Sequence, residues 1–350
     1  MSFRRVITSA GALVFTLAVS GPAFAQDKPP AQPAQAAQTQ EQQRKLSNDE
    51  RRDYTALSDF VDAVAGGKQP AAADLKLKFQ HHYLKSNENV YLPYIVEVSG
   101  GKFSSFPVTM YVRVTQKGAA PPAGKGSEAN WPFADVYFLT EKNVTTNGDV
   151  TEVPRALQLP PGEYTITIAL RERPGRDKKV PPKTAMLTQD LSVPDLNKGL
   201  TTSSVILASA LNPAPEQLTA QQQLERPFTF SGYEVVPSFG KPIPQSGELM
   251  FVFFIYNEGV ASTGKPDLDV DYLFYRGNED KPFTKLATQS FNATTLPGQF
   301  DVKAGHQVFV GQGIPVKGAI AAGDYKMEIK ITDKTNSQSV TRNMAFTVLN

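Results

Sequence analysis

Three aspartates at alternate positions, Asp267, Asp269 and Asp271, gather hard oxygen donors in one short stretch of the chain. In a strand, side chains two apart share a face, and calcium prefers several carboxylate oxygens together. Glu258 or Asp301 could add to such a site. Alternate strand side chains stand about 7 Å apart, too far for one ion to bridge all three, so a solvated strand face is expected, with calcium as the alternative. The three histidines are His81, His82 and His306. Neighbours in a strand point to opposite faces, so His81 and His82 are not expected to chelate one metal, and zinc catalysis normally takes three protein ligands.

Gly259 to Lys265 spells GxxxxGK, the opening of a phosphate-binding loop. The next residue is Pro266, where that loop needs Ser or Thr, and a strand pattern follows instead of a helix whose amides would face the phosphates. A hairpin loop is therefore expected. The chain has no cysteine, no GxSxG elbow and no HExxH helix, so no catalytic residue, cofactor or metal is assigned and the protein is expected not to be an enzyme. A pair of carboxylates brought together by folding stays open as a hydrolase reading. Trp131, Phe133 and Tyr137 are candidates for an aromatic sugar platform, with half-buried packing as the other fate of Trp131.

The elements that would position these residues are mostly strands. Ser47-Asn48-Asp49-Glu50 fits a capping box, and Tyr54, Leu57, Phe60, Val61 and Val64 recur at helical spacing before Gly66-Gly67. One amphipathic helix is expected over 47–67, docked on the domain behind it or free for a partner. After Pro70 the period changes to two, in Leu75 to Tyr83, Val90 to Val98, Phe106 to Thr115, Phe133 to Thr140, Glu163 to Arg171 and Thr184 to Val193. A second series starts at Phe228 and runs through Glu248 to Tyr256, Leu268 to Tyr275, Phe283 to Phe291, Gln307 to Val310, Asp324 to Thr332 and Ser339 to Leu349. Short strands separated by Gly/Pro turns argue for a sandwich.

The two series look like copies. Pro161-Gly162-Glu163-Tyr164 matches Ala322-Gly323-Asp324-Tyr325, at an offset of 161, and each is followed by one last strand ending in Val193 or Val348. Tyr164 and Tyr325 hold the place of a structural corner, where a sandwich tyrosine bonds its hydroxyl back to upstream backbone. The fold class expected is all-β, two tandem immunoglobulin-like sandwiches with one N-terminal helix. The domain order is signal peptide 1–25, Gln/Ala/Pro tether 26–46, helix 47–67, first sandwich 71–193, connector 194–227 and second sandwich 228–350.

The signal reading rests on Arg4 and Arg5 ahead of an apolar run from Val6 to Val19, then Ala23 and Ala25 at a cleavage site. The run is shorter than a bilayer span, so a soluble protein, periplasmic or extracellular, is expected. Without cysteine, stability must come from burial. The 36 basic and 34 acidic residues nearly balance, with no basic stripe, so nucleic acid is not an expected partner.

Val193-Pro194-Asp195-Leu196, Ser204 to Ala208, Gly264-Lys265-Pro266 with Leu268-Asp269-Val270, and Gly311 to Pro315 before Ala322-Gly323-Asp324-Tyr325 carry a resemblance. From about Val193 to Val348 the chain resembles the C-terminal β-rich part of secreted acidobacterial von Willebrand A-related or GWxTD-domain proteins. The GWxTD string and the DxSxS metal motif are both missing here, so no metal site is carried over. The resemblance implies a secreted accessory protein. The expected function is non-catalytic binding of an envelope or secreted protein, and the alternative is a carbohydrate-binding module that takes polysaccharide.

If the signal is cleaved as read, intact-mass measurement on protein recovered from the cell envelope gives a chain beginning at Gln26. A mass that retains Met1 removes the signal.

Overall fold

The computed structural model describes residues 46–119, 131–175, 181–214 and 218–350. The signal segment and residues 26–45 lie outside them. The chain divides into two compact units. One holds the described residues up to Ser204 together with Asn212–Val235, and the other holds Val205–Leu211 and Val236–Asn350.

The first unit opens with helix α1 (Asn48–Ala65), started by a reciprocal cap in which Glu50 N donates to Ser47 Oγ at 3.2 Å and Ser47 N donates to Glu50 Oε2 at 2.9 Å. Its strands are β1 (Lys76–His81), β2 (Leu84–Ser86), β3 (Asn89–Ser99), β4 (Val108–Gln116), β5 (Phe133–Leu139), β6 (Thr145–Asn147), β7 (Val150–Leu159), β8 (Gly162–Glu172), β9 (Thr184–Val193) and the short β10 (Thr201–Thr202). One sheet runs β1-β3-β7-β6 with β2 on β3, the other β5-β4-β8-β9. Alternate residues of β3 (Val90, Leu92, Tyr94, Val96, Val98) and of β8 (Tyr164, Ile166, Ile168, Leu170) are buried, as period-two strands of a sandwich require.

Strand β4 is buried from Val108 to Val114 without alternation. Its second face is covered by α1, whose Leu57 and Val61 are fully buried with Tyr111 and Ala169 and flanked by Tyr54 and Phe60. Two ion pairs fix the helix at either end: Arg173 Nε to Asp53 Oδ2 at 2.6 Å and Arg113 Nη1 to Asp62 Oδ1 at 2.5 Å. Asp53 is buried, so its pair is desolvated, whereas in the other pair Asp62 is mostly exposed and the buried partner is Arg113.

The other elements are β11 (Ile206–Pro213), α2 (Ala220–Glu225), β12 (Thr229–Phe230), β13 (Tyr233–Pro237), β14 (Ile243–Pro244), β15 (Glu248–Tyr256), β16 (Leu268–Arg276), β17 (Thr284–Lys285), β18 (Gln289–Phe291), β19 (Val308–Pro315), β20 (Gly323–Asp333) and β21 (Gln338–Leu349). In the second unit β15 pairs with β11 and β19, and the opposing sheet runs β14-β21-β20-β16-β17 with β18 also on β16.

The correspondence between the two units extends to register. Strands β4 and β8 pair from Val108↔Glu172 to Gln116↔Tyr164, and β16 and β20 from Leu268↔Asp333 to Arg276↔Tyr325. Likewise Gly162 faces Val193 and Gly323 faces Val348. The order β1-β3-β7 in one unit answers to β11-β15-β19 in the other. Both tyrosines are buried and bond backbone four residues upstream: Tyr164 Oη donates to Pro160 O at 3.0 Å and Tyr325 Oη to Ala321 O at 2.9 Å. Gly162 (φ 158°) and Gly323 (φ 147°) sit just before them. A Cβ on Gly162 would lie 3.2 Å from the Tyr164 ring, so a side chain there crowds the corner.

The segment expected to connect the copies, 194–227, carries structure. Within it, Val205–Leu211 supplies the second unit with the strand that pairs to β15 from Ile206↔Val252 to Ala208↔Met250. Residues Asn212–Val235 belong to the first unit and lie on the outer side of its sheet, where Tyr91 Oη donates to Pro227 O at 2.9 Å and the His82 ring meets Phe228 edge-on at 6.2 Å. Arg226 closes that segment on itself through two bonds to Glu234, at 3.0 and 2.7 Å.

Replacing Tyr164 or Tyr325 by Phe removes one hydrogen bond and is expected to cost about 1 kcal/mol, and replacement by Ala about 3–5 kcal/mol for a large buried ring. Denaturant melts of the full chain check both. Losses below about 0.5 kcal/mol at both positions would mean that neither corner holds its sandwich.

Candidate functional site

The three aspartates lie where β16 begins and along its outward face. Asp267 and Asp269 share Lys334, whose Nζ stands 2.9 and 3.2 Å from their Oδ1 atoms. Ser290 Oγ donates to Asp269 at 2.6 Å, and Thr288 Oγ1 donates to Asp271 at 2.6 Å. The Asp269 carboxyl is held below its usual range, first by the Ser290 bond and then by Lys334. A lysine ammonium thus occupies the position a cation would take between two of the three carboxylates. Among the described residues, no three acidic or histidine side chains gather closely enough to hold a metal ion.

His81 stacks on Phe79 at 4.8 Å, and its Nε2 shares a 2.9 Å hydrogen bond with Tyr83 Oη. His82 turns instead to Phe228. His306 belongs to the second unit, where its Nδ1 accepts from Asp301 N at 2.8 Å and so fixes a tight loop. Lys265, from the GxxxxGK string, is buried, and its Nζ donates to Leu296 O at 3.1 Å. The string forms a turn in which Ala261 N donates to Lys265 O and Gly264 N to Ala261 O. The lysine pins that turn to the loop after β18 and offers its charge to no phosphate.

The aromatic platform does not form. Phe133 and Tyr137 are 7% and 1% exposed, because β5 turns Phe133, Asp135, Tyr137 and Leu139 inward together. Trp131 precedes that strand and stays half-buried, with the Arg113 guanidinium over its ring at 4.8 Å. Its face is therefore taken by a cation from the chain itself.

Sequence reasoning missed a polar cluster in the first sandwich core. Tyr94 from β3, Asp135 and Tyr137 from β5 and Arg155 from β7 are each at most 5% exposed. The Arg155 guanidinium lies 5.1 Å from the Tyr137 ring centre. Burial pushes both tyrosine hydroxyls above their usual range, Asp135 pushes them further and Arg155 pulls back. The inward phase of Asp135 between Phe133 and Tyr137 was the available signal. Also unforeseen were two buried carboxylates at matching places in the repeat. Glu172, at the end of β8, accepts from Ser104 N at 2.5 Å and Lys183 N at 3.1 Å. Asp333, at the end of β20, accepts from Gly259 N at 2.6 Å and Thr335 N at 2.9 Å. Each ties a loop to its strand end.

One open cleft of about 480 Å³ lies beside α1, lined by Ala56, Asp59, Phe60, Gln69, Asp74 and Arg171 among others. Thr184 also lines it, where its N donates to Asp74 Oδ2 at 2.9 Å and its hydroxyl to Pro182 O at 3.4 Å. The other feature available to a partner is backbone. Strand β14 pairs with β21 only at Val348 and Leu349, in parallel, so among the described residues no strand borders the outer edge of β21 from Ser339 to Thr347. The matching edge of β9 is partly closed, since Asp74 N donates to Thr184 O at 3.1 Å and Met186 N to Ala72 O at 3.0 Å.

No protein-family model and no curated protein sequence matches the chain. Among solved structures, trypsin-activated α2-macroglobulin from Escherichia coli is 11% identical, with 79% of this chain and 16% of that one covered at a TM-score of 0.21. Salmonella α2-macroglobulin reacted with methylamine is 11% identical over 78% and 16% at 0.18, and its Y1175G mutant 15% identical over the same shares at 0.19. The chain thus spans about a sixth of the macroglobulins it matches, and superpositions of that quality bear on neither fold nor function.

Burial lowers the His81 pKa from 6.5 to about 4 and that of His82 to about 3. Between those values and 6.5 the unfolded chain binds more protons than the native one, so stability is complete above about pH 6.5 and falls as pH drops toward 4 and then 3. Carboxylates with lowered pKa, such as Asp269, act only below about 4. Urea midpoints of the full chain should therefore decline from pH 6.5 to 4, and His82→Gln should flatten the decline. An unchanged slope in that variant would show that His82 is protonated in the native state.

Proposed function

We propose that the chain is an exported, non-catalytic binding protein that acts through protein–protein contacts in the periplasm or outside the cell. The observation that carries this reading is the open edge of β21. A strand edge recognises an extended segment through main-chain hydrogen bonds and needs no reactive side chain. Natural edges are usually blunted with lysine, proline or a bulge. Residues 339–347 contain neither lysine nor proline and pair with β20 without a break, and their one charge is Arg342, on the inward face, whose Nη1 donates to Thr341 O at 3.1 Å. The side chains singled out for chemistry are meanwhile engaged with the chain itself: Asp267 and Asp269 with Lys334, His81 with Tyr83, Trp131 with Arg113.

Export rests on the signal sequence and on the resemblance to secreted accessory proteins. Among the described residues no helix is long and apolar enough to cross a membrane. With Phe133 and Tyr137 in the core, the carbohydrate-binding alternative loses two of its three platform residues.

Thr341 and Ala345 are exposed on β21, so lysine at both leaves the sandwich intact while discouraging strand addition. In cross-linking captures from the producing cell envelope, the double variant should lose the protein held by the wild type, with its melting temperature unchanged within about a degree. An identical capture profile would exclude the edge as the contact surface.

A further inference from the structure

We infer that the partner fitted by the β21 edge is a second copy of this chain, added antiparallel about a two-fold axis through Asn343. The inference rests on the edge being the contact surface. The open stretch is bounded by β14 at Val348 and by the hairpin turn before Gln338, leaving 339–347. An antiparallel copy fills all of it in the register whose paired residue numbers sum to 686, because 339 then meets 347 and 343 meets itself. That is a closed, isologous contact.

The side chains suit this register on both faces. On the inward face Val340 meets Phe346 of the other copy and Arg342 meets Met344, where Met344 and Phe346 are buried core residues. Each core would therefore continue into the next across the axis. On the outward face Ser339 meets Thr347, Thr341 meets Ala345 and Asn343 meets Asn343, all small or uncharged. No like charges oppose each other directly, and the two Arg342 side chains are diagonal neighbours across the axis, within reach of each other on the inward face.

The corresponding strand of the first copy is built differently. What residues 72–74 leave uncovered on β9 is 187–193, whose centre is Asp190. Two-fold pairing there would set an exposed carboxylate against itself, and that carboxylate is already held by Lys117 at 2.7 Å. The repeat thus sets a carboxylate directly against itself in one unit and no like charge directly against itself in the other.

The chain contains no cysteine, which makes the register directly readable. Opposed strand residues bring Cβ atoms to about 4.5–5.5 Å, within small adjustment of disulfide geometry. In the mature chain, Asn343→Cys should form a disulfide-linked dimer under mild oxidation at least about ten times faster than Ser339→Cys, which faces Thr347. Sedimentation of the cysteine-free chain should show a dimer that dissociates on dilution, and Asn343→Lys should weaken it at least about tenfold. A chain monomeric at all concentrations, or equal cross-linking of the two cysteine variants, overturns the self-pairing. If lysines at 341 and 345 still abolish capture of another protein from the envelope, the edge remains a contact surface with a different occupant. If neither capture nor self-association responds to edge substitutions, both readings fall.

Discussion

With no cysteine to cross-link it, this chain stands on burial, and burial is organised by one strand pairing made twice. Strand β8 lies between β4 and β9, and β20 lies between β16 and β21, in registers that correspond residue for residue at the corner tyrosines and at the buried carboxylates. A single-residue slip would turn Ile166, Ile168 and Leu170, or Met327, Ile329 and Ile331, out of the core to the other face of their sheets. The tyrosine at one end of each strand and the carboxylate at the other bond to backbone outside the pairing, so both ends resist such a slip.

Much of this was legible because alternation survives in sequence whenever one strand face is wet. The capping box at Ser47, the strand β15 from Glu248 to Tyr256 and the paired Gly-acid-Tyr corners all followed from local chemistry. Strand β7 was not foreseen. Pro154 lies in its middle and Arg155 points inward, and each is a local signal against a strand. The structure accommodates them by facing Pro154 toward Ile95 and setting Arg155 against Tyr137. Strand β11 was legible in part: Val205 to Leu207 reads as a candidate strand within the expected connector, and the polar residues after it hide the rest.

The candidate chemistry was legible as residue types but not as partners. Asp267 and Asp269 are neutralised by Lys334, more than sixty positions away, and nothing local announces that meeting. The same holds for Arg113 over Trp131 and for Lys265 on the Leu296 carbonyl. Side-chain phase decided the platform: the alternation that makes β5 a strand also sends Phe133 and Tyr137 into the core.

The passage of the chain between its two units has a bearing on how they are made. The first unit needs Asn212–Val235, yet Val205–Leu211, which precedes that segment, is the opening strand of the second. A polypeptide emerging from its N-terminus therefore delivers a strand of the later body before it has finished the earlier one. Until Glu248 to Tyr256 arrives, Ile206 and Ala208, both buried in the finished fold, lack their β15 partner and have only the later β12–β13 hairpin beside them. The two bodies are interleaved along the chain rather than sequential, so no single cut separates them with both intact.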